Sequence, residues 1–380
     1  MNPDPASLGQ RLRHEVLDPL KHTFVGKDEI IDVMGLCLVA GENLFLLGPP
    51  GTAKTALVHE MGQRLHGHFF EYLLTRFTEP NEIFGPFDIR RLREGDLVTN
   101  TEGMLPEASL VFLDELLNAN SAILNSLLTV LNERVLRRGR ETIHVPALIF
   151  VGASNHLPEE DALRALFDRF LMRVPCDNVA AERLGQVLDA GWQLDVQKKP
   201  AASSFSVEDV RLLHGQLASV DLTAARAPLV ELVIRLRQAG IAISDRRAVK
   251  LQKLVAASTL LCGRTAAEVS DLWVFRYIWD TLEQQEILAA IVSESLRQTE
   301  PAPGDHPRAR HGQEPNPEDL AHDLDELQQE LAKGDAEARS VVQDRLGILA
   351  GRCQWVPNEM QRAALLERVE KLWATLGAKP

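Results

Sequence analysis

Short apolar runs and helical patterns alternate along the first half of the chain. The apolar runs predict buried strands near residues 44–47, 70–74, 110–113 and 147–153. Apolar positions three or four residues apart predict helices near residues 54–66, 121–133 and 161–167. Strands that alternate with helices are typical of a parallel sheet, so we expect an α/β fold with helices on both faces of the sheet.

Two extended stretches interrupt this alternation, and each predicts a hairpin. The first spans 87–99 and is expected to turn at 93–96, whereas the second spans 134–145 and is expected to turn at 138–140. Both turns contain a glycine, which tolerates the positive φ angle that tight turns require. The hairpins are therefore additions to the simple succession of strands and helices.

After a polar joint at 198–204 the pattern is helical up to about Arg297, beginning with a capping box of Ser206 and Asp209. Five prolines between residues 301 and 317 then indicate an extended linker. Leucines at helical spacing from residue 320 onward predict a helical tail. The expected domains are an α/β domain (1–198), an all-helical lid domain (199–298), a Pro-rich linker (299–317) and a helical C-terminal extension (318–380).

Composition narrows the class of protein. The chain has 380 residues and a formal net charge of −13, so a bulk electrostatic grip on nucleic acid or an anionic membrane is not expected. Its four cysteines are far apart and form no CxxC pair, so neither a zinc site nor a disulfide framework is indicated. A polar N-terminus, and no apolar stretch of about 20 residues, predict a cytoplasmic protein.

Candidate chemistry begins directly after the first predicted strand, with Gly-Pro-Pro-Gly-Thr-Ala-Lys-Thr at 48–55. A glycine-rich turn that leads from a strand into a helix points backbone N–H groups at a bound phosphate. Lys54 is expected to reach the β- and γ-phosphates, and Thr55 to hold Mg²⁺. Ala53 departs from the general pattern, which has glycine at that position.

The apolar run at 110–113 ends in two carboxylates. Asp114 is expected to hold Mg²⁺, and Glu115 to act as the base that activates a water. An Asp-Glu pair after a strand can also be the start of a solvated loop. The phosphate-binding loop that precedes it favours nucleotide binding, with ATP and Mg²⁺ as the expected ligands.

Three further polar residues are candidates for the same site. The amide of Asn155, at the end of a strand, could orient the attacking water, and a capping role is the alternative. Arg169 suits transition-state charge if it projects into a neighbouring subunit's nucleotide, and a surface salt bridge is the alternative. Arg246 could contact the γ-phosphate from the lid domain, or it could be an exposed charge at a helix start.

Taken together, these segments resemble the MoxR family of AAA+ ATPases, and within it the RavA-like branch. The resemblance covers about residues 5–290, and alanine at position 53 is usual in that family. The motifs that carry it lie at 48–55, 112–115, 153–155, 157–163, 168–170 and 244–246.

The resemblance implies a hexameric ring with ATP at the subunit interfaces. Val25 and Gly26 resemble the segment that lines the adenine pocket. Family members commonly work with a partner that bears a von Willebrand factor A (vWA) domain, as chaperone-like remodellers or in metal-centre maturation. The implied nucleotide contacts are Val25, Gly26, Gly48, Pro49, Pro50, Gly51, Thr52, Ala53, Lys54, Thr55 and Ala56.

The expected function is thus that of an ATP-hydrolysing ring that remodels partner proteins, with the client left open. One rival is a nucleic-acid motor, which Arg137, Arg138 and Arg140 near one hairpin tip support. Another is a nucleotide-gated scaffold that hardly hydrolyses, against which Glu115 argues, because a mere switch needs no base. A metal-chelatase subunit is the third.

Overall fold

The computed structural model describes residues 5–93, 98–138, 141–196, 203–297, 304–310, 317–332, 342, 345–347, 349–350, 353 and 359–376. The chain forms two compact units, Met1–Arg310 and His311–Pro380, and each has its own hydrophobic core. The tips of both predicted hairpins and most of the polar joint at 198–204 lie outside the described residues. Within the described ranges no helix is long and apolar enough to cross a membrane.

A five-stranded parallel sheet forms the centre of the first unit. The strands of this unit are β1 (Leu44–Leu47), β2 (Phe69–Leu73), β3 (Leu110–Asp114), β4 (Val135–Arg138), β5 (Glu141–His144), β6 (Ile149–Ser154) and β7 (Met172–Pro175). In the sheet they lie in the order β2-β3-β6-β1-β7, while β4 and β5 pair with each other. This arrangement confirms the predicted α/β fold class, although β7 was not predicted.

Because all five strands run in the same direction, their ends define two edges of the sheet. We call the edge at which the strands end the carboxyl edge; Leu47, Asp114 and Ser154 lie there. The opposite edge, at which β1 begins with Leu44, is the amino edge. Strand β1 alone separates the two edges by about 13 Å.

Helices surround this sheet and continue beyond it. In the first unit they are α1 (Pro5–Leu12), α2 (Asp18–Thr23), α3 (Asp28–Ala40), α4 (Lys54–Arg64), α5 (Pro80–Phe84), α6 (Ile89–Arg93), α7 (Ser121–Glu133), α8 (Asp161–Phe167), α9 (Leu184–Val196), α10 (Val207–Gln216), α11 (Thr223–Gln238), α12 (Asp245–Leu261), α13 (Glu283–Arg297) and α14 (Pro307–Arg310). Helix α7 begins where predicted because the Asn120 side chain accepts hydrogen bonds from the N–H groups of Ala122 and Ile123.

The two predicted hairpins have different outcomes. Strands β4 and β5 confirm the second one. In the first, Phe87 pairs with Thr99 as expected, but helix α6 replaces the extended backbone that follows. The reason is local, since the Asp88 carboxylate accepts the N–H groups of Arg90 and Arg91 and so begins a helical turn.

The helical region from α10 onward packs on the sheet. Its first helix begins with the predicted capping box of Ser206 and Asp209. Arg173 of β7 is fully buried, donates to the carbonyl of Trp279 at 2.7 Å and pairs with Asp280 at 2.8 Å. The edge strand is thereby joined to the segment that follows the 3₁₀ turn Val269–Tyr277.

Residues 304–310, which we call the strap, lie within the span expected to be an extended linker, yet they are packed. The ring of His306, only 4% exposed, stacks on Trp273 with centroids 4.5 Å apart. Arg308 Nε donates to Asp32 of α3 at 2.8 Å, and Arg276 Nη1 donates to the Arg308 carbonyl at 2.7 Å. The strap therefore ties the helical region to α3.

The second unit contains α15 (Pro317–Ala332) and α16 (Glu359–Leu376). The predicted leucine stripe is confirmed, because Leu320, Leu324 and Leu327 are fully buried. They share a cluster with apolar residues of the second helix, including Leu365, Val369 and Leu372. Helix α15 thus packs through the face that its leucine spacing predicted.

Candidate nucleotide site

The loop at 48–55 leaves β1 at the carboxyl edge and leads into α4. Gly48 has no room for a side chain, since a Cβ there would lie 2.2 Å from the carbonyl oxygen of Cys176. Gly51 has a φ of +82° and its Cβ position faces open space. Ala53 has a φ of 63°, in the left-handed region, and is the N-cap of α4 without any side-chain hydrogen bond. The loop therefore ends in an uncapped helix start.

An uncapped helix start of this kind fits an anion. The first N–H groups of a helix have no partner within it, and the helix dipole adds positive potential there. The Lys54 ammonium lies in the same loop, where it donates to the carbonyls of Gly48 at 2.9 Å and Pro49 at 2.7 Å. Lys54 is only 7% exposed, so the loop itself provides a buried cation and free N–H donors for a phosphate chain.

The segment at 25–27 lies beside this loop. Lys27 Nζ donates to the carbonyl of Asp177 at 2.5 Å and lies 3.7 Å from Cys176 Sγ. The Cys176 thiol is in turn 3.4 Å from Thr52 Oγ1. These contacts connect Lys27, the residue after Gly26, through Cys176 to the phosphate loop. That Val25 and Gly26 line the adenine pocket stays a prediction.

The two carboxylates also lie at the carboxyl edge. Asp114 ends β3 half-buried, and its Oδ1 accepts the N–H of Glu115 at 2.9 Å. Glu115 has a φ of 49°, and its Oε2 accepts from Asn118 Nδ2 at 3.4 Å. Strand β6 separates β3 from β1, so both acids face the region in front of the loop from two strands away.

Asn155 follows β6 directly, between the loop and the acids. The Gly48 N–H donates to the carbonyl of Ser154 at 3.0 Å, which fixes the end of β6 against the loop. Asn155 itself is exposed. Its position at the carboxyl edge remains compatible with the predicted role.

Arg169 lies at the opposite edge. It precedes β7, and its carbonyl accepts a hydrogen bond from Asn43 Nδ2 at 2.9 Å, just before β1 begins. Its guanidinium pairs with the adjacent Asp168 at 3.2 Å, and Nε has no partner among the described residues. The full length of β1, about 13 Å, separates it from its own phosphate loop.

Arg246 also lies away from its own loop. It is exposed in the first turn of α12, and the next residue, Arg247, pairs with Asp280 at 3.1 Å. One turn later Lys250 pairs at 2.6 Å with Glu42, which precedes β1. The start of α12 is thus fixed near the amino edge, and the structure does not bring Arg246 together with Lys54.

Two residues beside the loop were not predicted: Cys176, which contacts Thr52, and Lys27, which contacts Cys176. Lys27 directly follows Val25 and Gly26, which resemble the adenine-pocket segment, so its position in the sequence could have indicated it. Cys176 follows β7, and that strand was missed because Arg173 interrupts its apolar pattern. Within the described residues, no group of three or more acidic, histidine or cysteine side chains is arranged to hold a metal ion.

Comparisons with known proteins agree with this geometry. A family profile described as "MoxR domain in the MoxR-vWA-beta-propeller ternary systems" matches residues 10–215, and an "AAA lid domain" profile matches residues 227–292. An uncharacterized protein of Methanocaldococcus jannaschii is 37% identical over 267 residues, which is 70% of either chain. The "Chaperone MoxR1" of Mycobacterium tuberculosis is 26% identical over 199 residues, or 51% of either chain.

A solved structure supports the fold alone. The crystal structure of a candidate ATPase from Cytophaga hutchinsonii superposes with a TM-score of 0.62. The match covers 78% of this chain and 96% of that one, at 18% identity. The α/β sheet with its helical lid is therefore an arrangement already seen in another protein.

Proposed function

The chain belongs to the MoxR family of AAA+ ATPases, and on that basis we propose that it hydrolyses ATP within a ring of its own copies and thereby remodels partner proteins. The narrower assignment to a RavA-like branch stays a prediction. One observation carries the proposal: the phosphate loop and Arg169 lie at opposite edges of one sheet. A single copy therefore holds two complementary halves of a site.

The first half binds and positions the nucleotide. The N–H groups at the start of α4 and the Lys54 ammonium hold the phosphates, while Val25 and Gly26 line the base. Thr55 and Asp114 would hold Mg²⁺, which neutralises phosphate charge when it is bound. Glu115 takes a proton from the attacking water, and the Asn155 amide orients that water.

The second half comes from a neighbouring copy. We assign Arg169 to the nucleotide of the neighbouring copy, because it lies far from its own loop and its guanidinium pairs only with the adjacent Asp168 among the described residues. Its fixed positive charge would stabilise charge that develops on the phosphates in the transition state. Arg246 lies toward the same edge, so we assign it to the neighbour's nucleotide as well.

The partner is proposed from the family description. The matching profile is named for systems that combine a MoxR domain, a vWA domain and a β-propeller. We propose that a vWA-domain protein is the partner through which ATP hydrolysis acts on a client. Co-purification of a tagged chain from its native host, followed by mass spectrometry, tests this point.

The nucleic-acid motor is the less favoured reading. Arg137 pairs with Glu133 at 2.8 Å. Arg138 donates to Gly85 and Asn81 and lies over the ring of Phe87. Two of the three hairpin arginines thus have partners within this chain, and the net charge of −13 opposes phosphate contacts.

Mixing two inactive variants tests the shared site. We call the phosphate loop at 48–55, together with the start of α4, the cradle. Lys54→Ala disables the cradle but leaves Arg169 intact, whereas Arg169→Ala does the reverse. Each alone is expected to lose turnover, by about 10³–10⁵ for an arginine of this type. A mixture creates interfaces that join an intact cradle to an intact arginine, so hydrolysis should recover. No recovery, with subunit exchange confirmed by labelling, would disprove the arrangement.

A further inference from the structure

Asn43 lies at the amino edge, between Arg134 and Arg169. It is only 3% exposed, and both ends of its side chain are used. Oδ1 accepts from Arg134 Nη2 at 2.7 Å, and Nδ2 donates to the carbonyl of Arg169 at 2.9 Å. The amide therefore connects the residue that ends α7 to the residue proposed to act on the neighbour's nucleotide.

Arg134 is held firmly on its side of this connection. Its guanidinium lies 4.4 Å above the ring of Phe150, and exclusion from water lowers its pKa to about 10. Its Nη1 is buried without a hydrogen-bond partner among the described residues. The contact with the Phe150 ring and the hydrogen bond to Asn43 offset part of the cost of burying this charge, and together they hold Arg134 beside Asn43.

Arg134 is also the base of the β4–β5 hairpin. It ends α7 with a φ of 54° and is followed at once by β4. Its carbonyl accepts the N–H of Val145, directly after β5, at 2.8 Å. A displacement of the hairpin must therefore act on the backbone of Arg134.

On the other side, hydrogen bonds hold the main chain of Arg169. It lies in the short stretch between α8 and β7, where its N–H donates to the Leu166 carbonyl at 3.0 Å. The Asn43 amide is the contact that ties its carbonyl to the sheet. Loss of this bond would leave the Arg169 carbonyl free to turn, and a turn of that peptide changes the direction of the side chain.

We infer that Asn43 is a positioning residue for ATP hydrolysis, setting the main chain of Arg169 and linking that position through Arg134 to the hairpin. Neither Asn43 nor Arg134 touches the nucleotide in this scheme. The inference rests on the proposed function, because it takes Arg169 to act in the neighbour's site. A shift of about 1 Å in a positioned group can lower a rate by about 100-fold, so a small change at Asn43 is measurable.

Asn43→Asp is the most informative variant. It keeps an oxygen that accepts from Arg134, but it replaces the N–H donor to Arg169 with a second oxygen, which faces that residue's carbonyl. ATP affinity should stay as in the wild type, because the cradle lies at the other edge. Turnover should fall by about tenfold to 100-fold. Arg137→Gln is the matched control, since this exposed hairpin arginine does not contact Asn43 and should leave turnover unchanged.

Mixing separates positioning from a general defect of the fold. Asn43→Asp subunits have an intact cradle, and Lys54→Ala subunits can lend them a correctly held Arg169. An equal mixture should then regain activity at about a quarter of its interfaces. A mixture of Asn43→Asp with Arg169→Ala should regain none, because both variants damage the same half.

The outcomes distinguish the inference from its premise. If Lys54→Ala and Arg169→Ala fail to complement each other, the shared site itself is wrong. If they do complement but Asn43→Asp with Lys54→Ala does not, Asn43 affects the cradle of its own subunit rather than Arg169, and the inference is overturned. Should Asn43→Asp not fold, Arg134→Lys loosens the same connection from the other end, and the same two mixtures decide.

Discussion

Ala53, Glu115 and Arg134 share an unusual backbone. Their φ angles are 63°, 49° and 54°, all in the left-handed region. For a residue with a Cβ this region costs about 1–2 kcal/mol, because the Cβ approaches a carbonyl oxygen. Ala53 lies in the phosphate loop and Glu115 is the proposed base, whereas Arg134 at the foot of the hairpin and His66 after α4, with a φ of 51°, lie outside the proposed chemistry. Two of the four such residues in the described part of the chain thus lie where chemistry is proposed.

Relief of this strain is predicted for Ala53→Gly. Glycine adopts the left-handed conformation without penalty, so the free energy of unfolding should rise by about 1 kcal/mol in the absence of nucleotide. Urea unfolding monitors the change. Ala56→Gly, in the first turn of the same helix, is the control and should lower stability by roughly 0.5–1 kcal/mol. Equal shifts for both variants would show that Ala53 carries no strain.

Glu115→Gln is predicted to separate binding from turnover. The amide keeps an oxygen for Asn118 but cannot take a proton, so the ATP dissociation constant should stay unchanged while kcat falls by about 10²–10⁴. Calorimetry and phosphate release measure the two quantities. Glu231→Gln, at an exposed residue of α11, should change neither. A Glu115→Gln variant with near-normal kcat would exclude Glu115 as the base.

At the level of elements, the strands that form continuous apolar runs could be predicted from the sequence. The apolar runs of β1, β3 and β6 are fully buried apart from the terminal Asp114, and they were predicted. Strand β7 escaped prediction because Arg173 interrupts it. The Arg173 guanidinium donates to the nearby Phe167 carbonyl, but its other partners belong to the distant Ile278–Asp280 segment. No local pattern contains such a partner.

The strap escaped prediction for a related reason. Prolines on both sides of it indicate an extended linker, whereas its stability comes from contacts to Trp273 and Asp32 that are remote in sequence. The candidate site was foreseen more fully, because its residues follow strands whose carboxyl ends must meet. The edge on which Arg169 lies could not be derived before β7 was known.

A pH effect is predicted for the strap. Burial lowers the pKa of His306 to about 3, with Arg13, Lys21 and Arg308 adding to this and Asp32 opposing it. Between that value and the ordinary value of about 6.5, the unfolded chain binds a proton that the folded chain does not. The contribution of His306 to the free energy of unfolding is therefore fully present above about pH 6.5. It decreases as the pH falls below that value, by up to about 1.4 kcal/mol per pH unit.

His306→Gln tests this prediction by subtraction. The variant should be less stable at pH 7.5 because the stacking on Trp273 is lost, but its stability should fall less steeply toward pH 5. Urea unfolding of both proteins at several pH values gives the two slopes. Other titrating groups contribute equally to both proteins, so parallel curves would contradict the pKa shift.

At the level of the whole molecule, assembly is predicted to depend on nucleotide. Among the described residues, the candidate arginines Arg169 and Arg246 both lie away from the phosphate loop of their own copy. Mg²⁺ and ATP should therefore favour association, with a ring of six as the expected form. Light scattering with the Glu115→Gln variant, which should retain bound ATP, measures the mass. Monomers alone at micromolar concentration with nucleotide would contradict the prediction, and Lys54→Ala should fail to respond to ATP.

The opposite placement of cradle and arginine gives each copy a head and a tail. Copies joined head to tail form a heterologous interface. An assembly built from such interfaces either closes into a ring or remains an open row with two unlike ends. An open row has one cradle fewer in use than it has members, since the terminal cradle meets no arginine. Closure completes that last site without adding a subunit. Specific activity should therefore climb with the length of a row and reach its ceiling only when the ends meet.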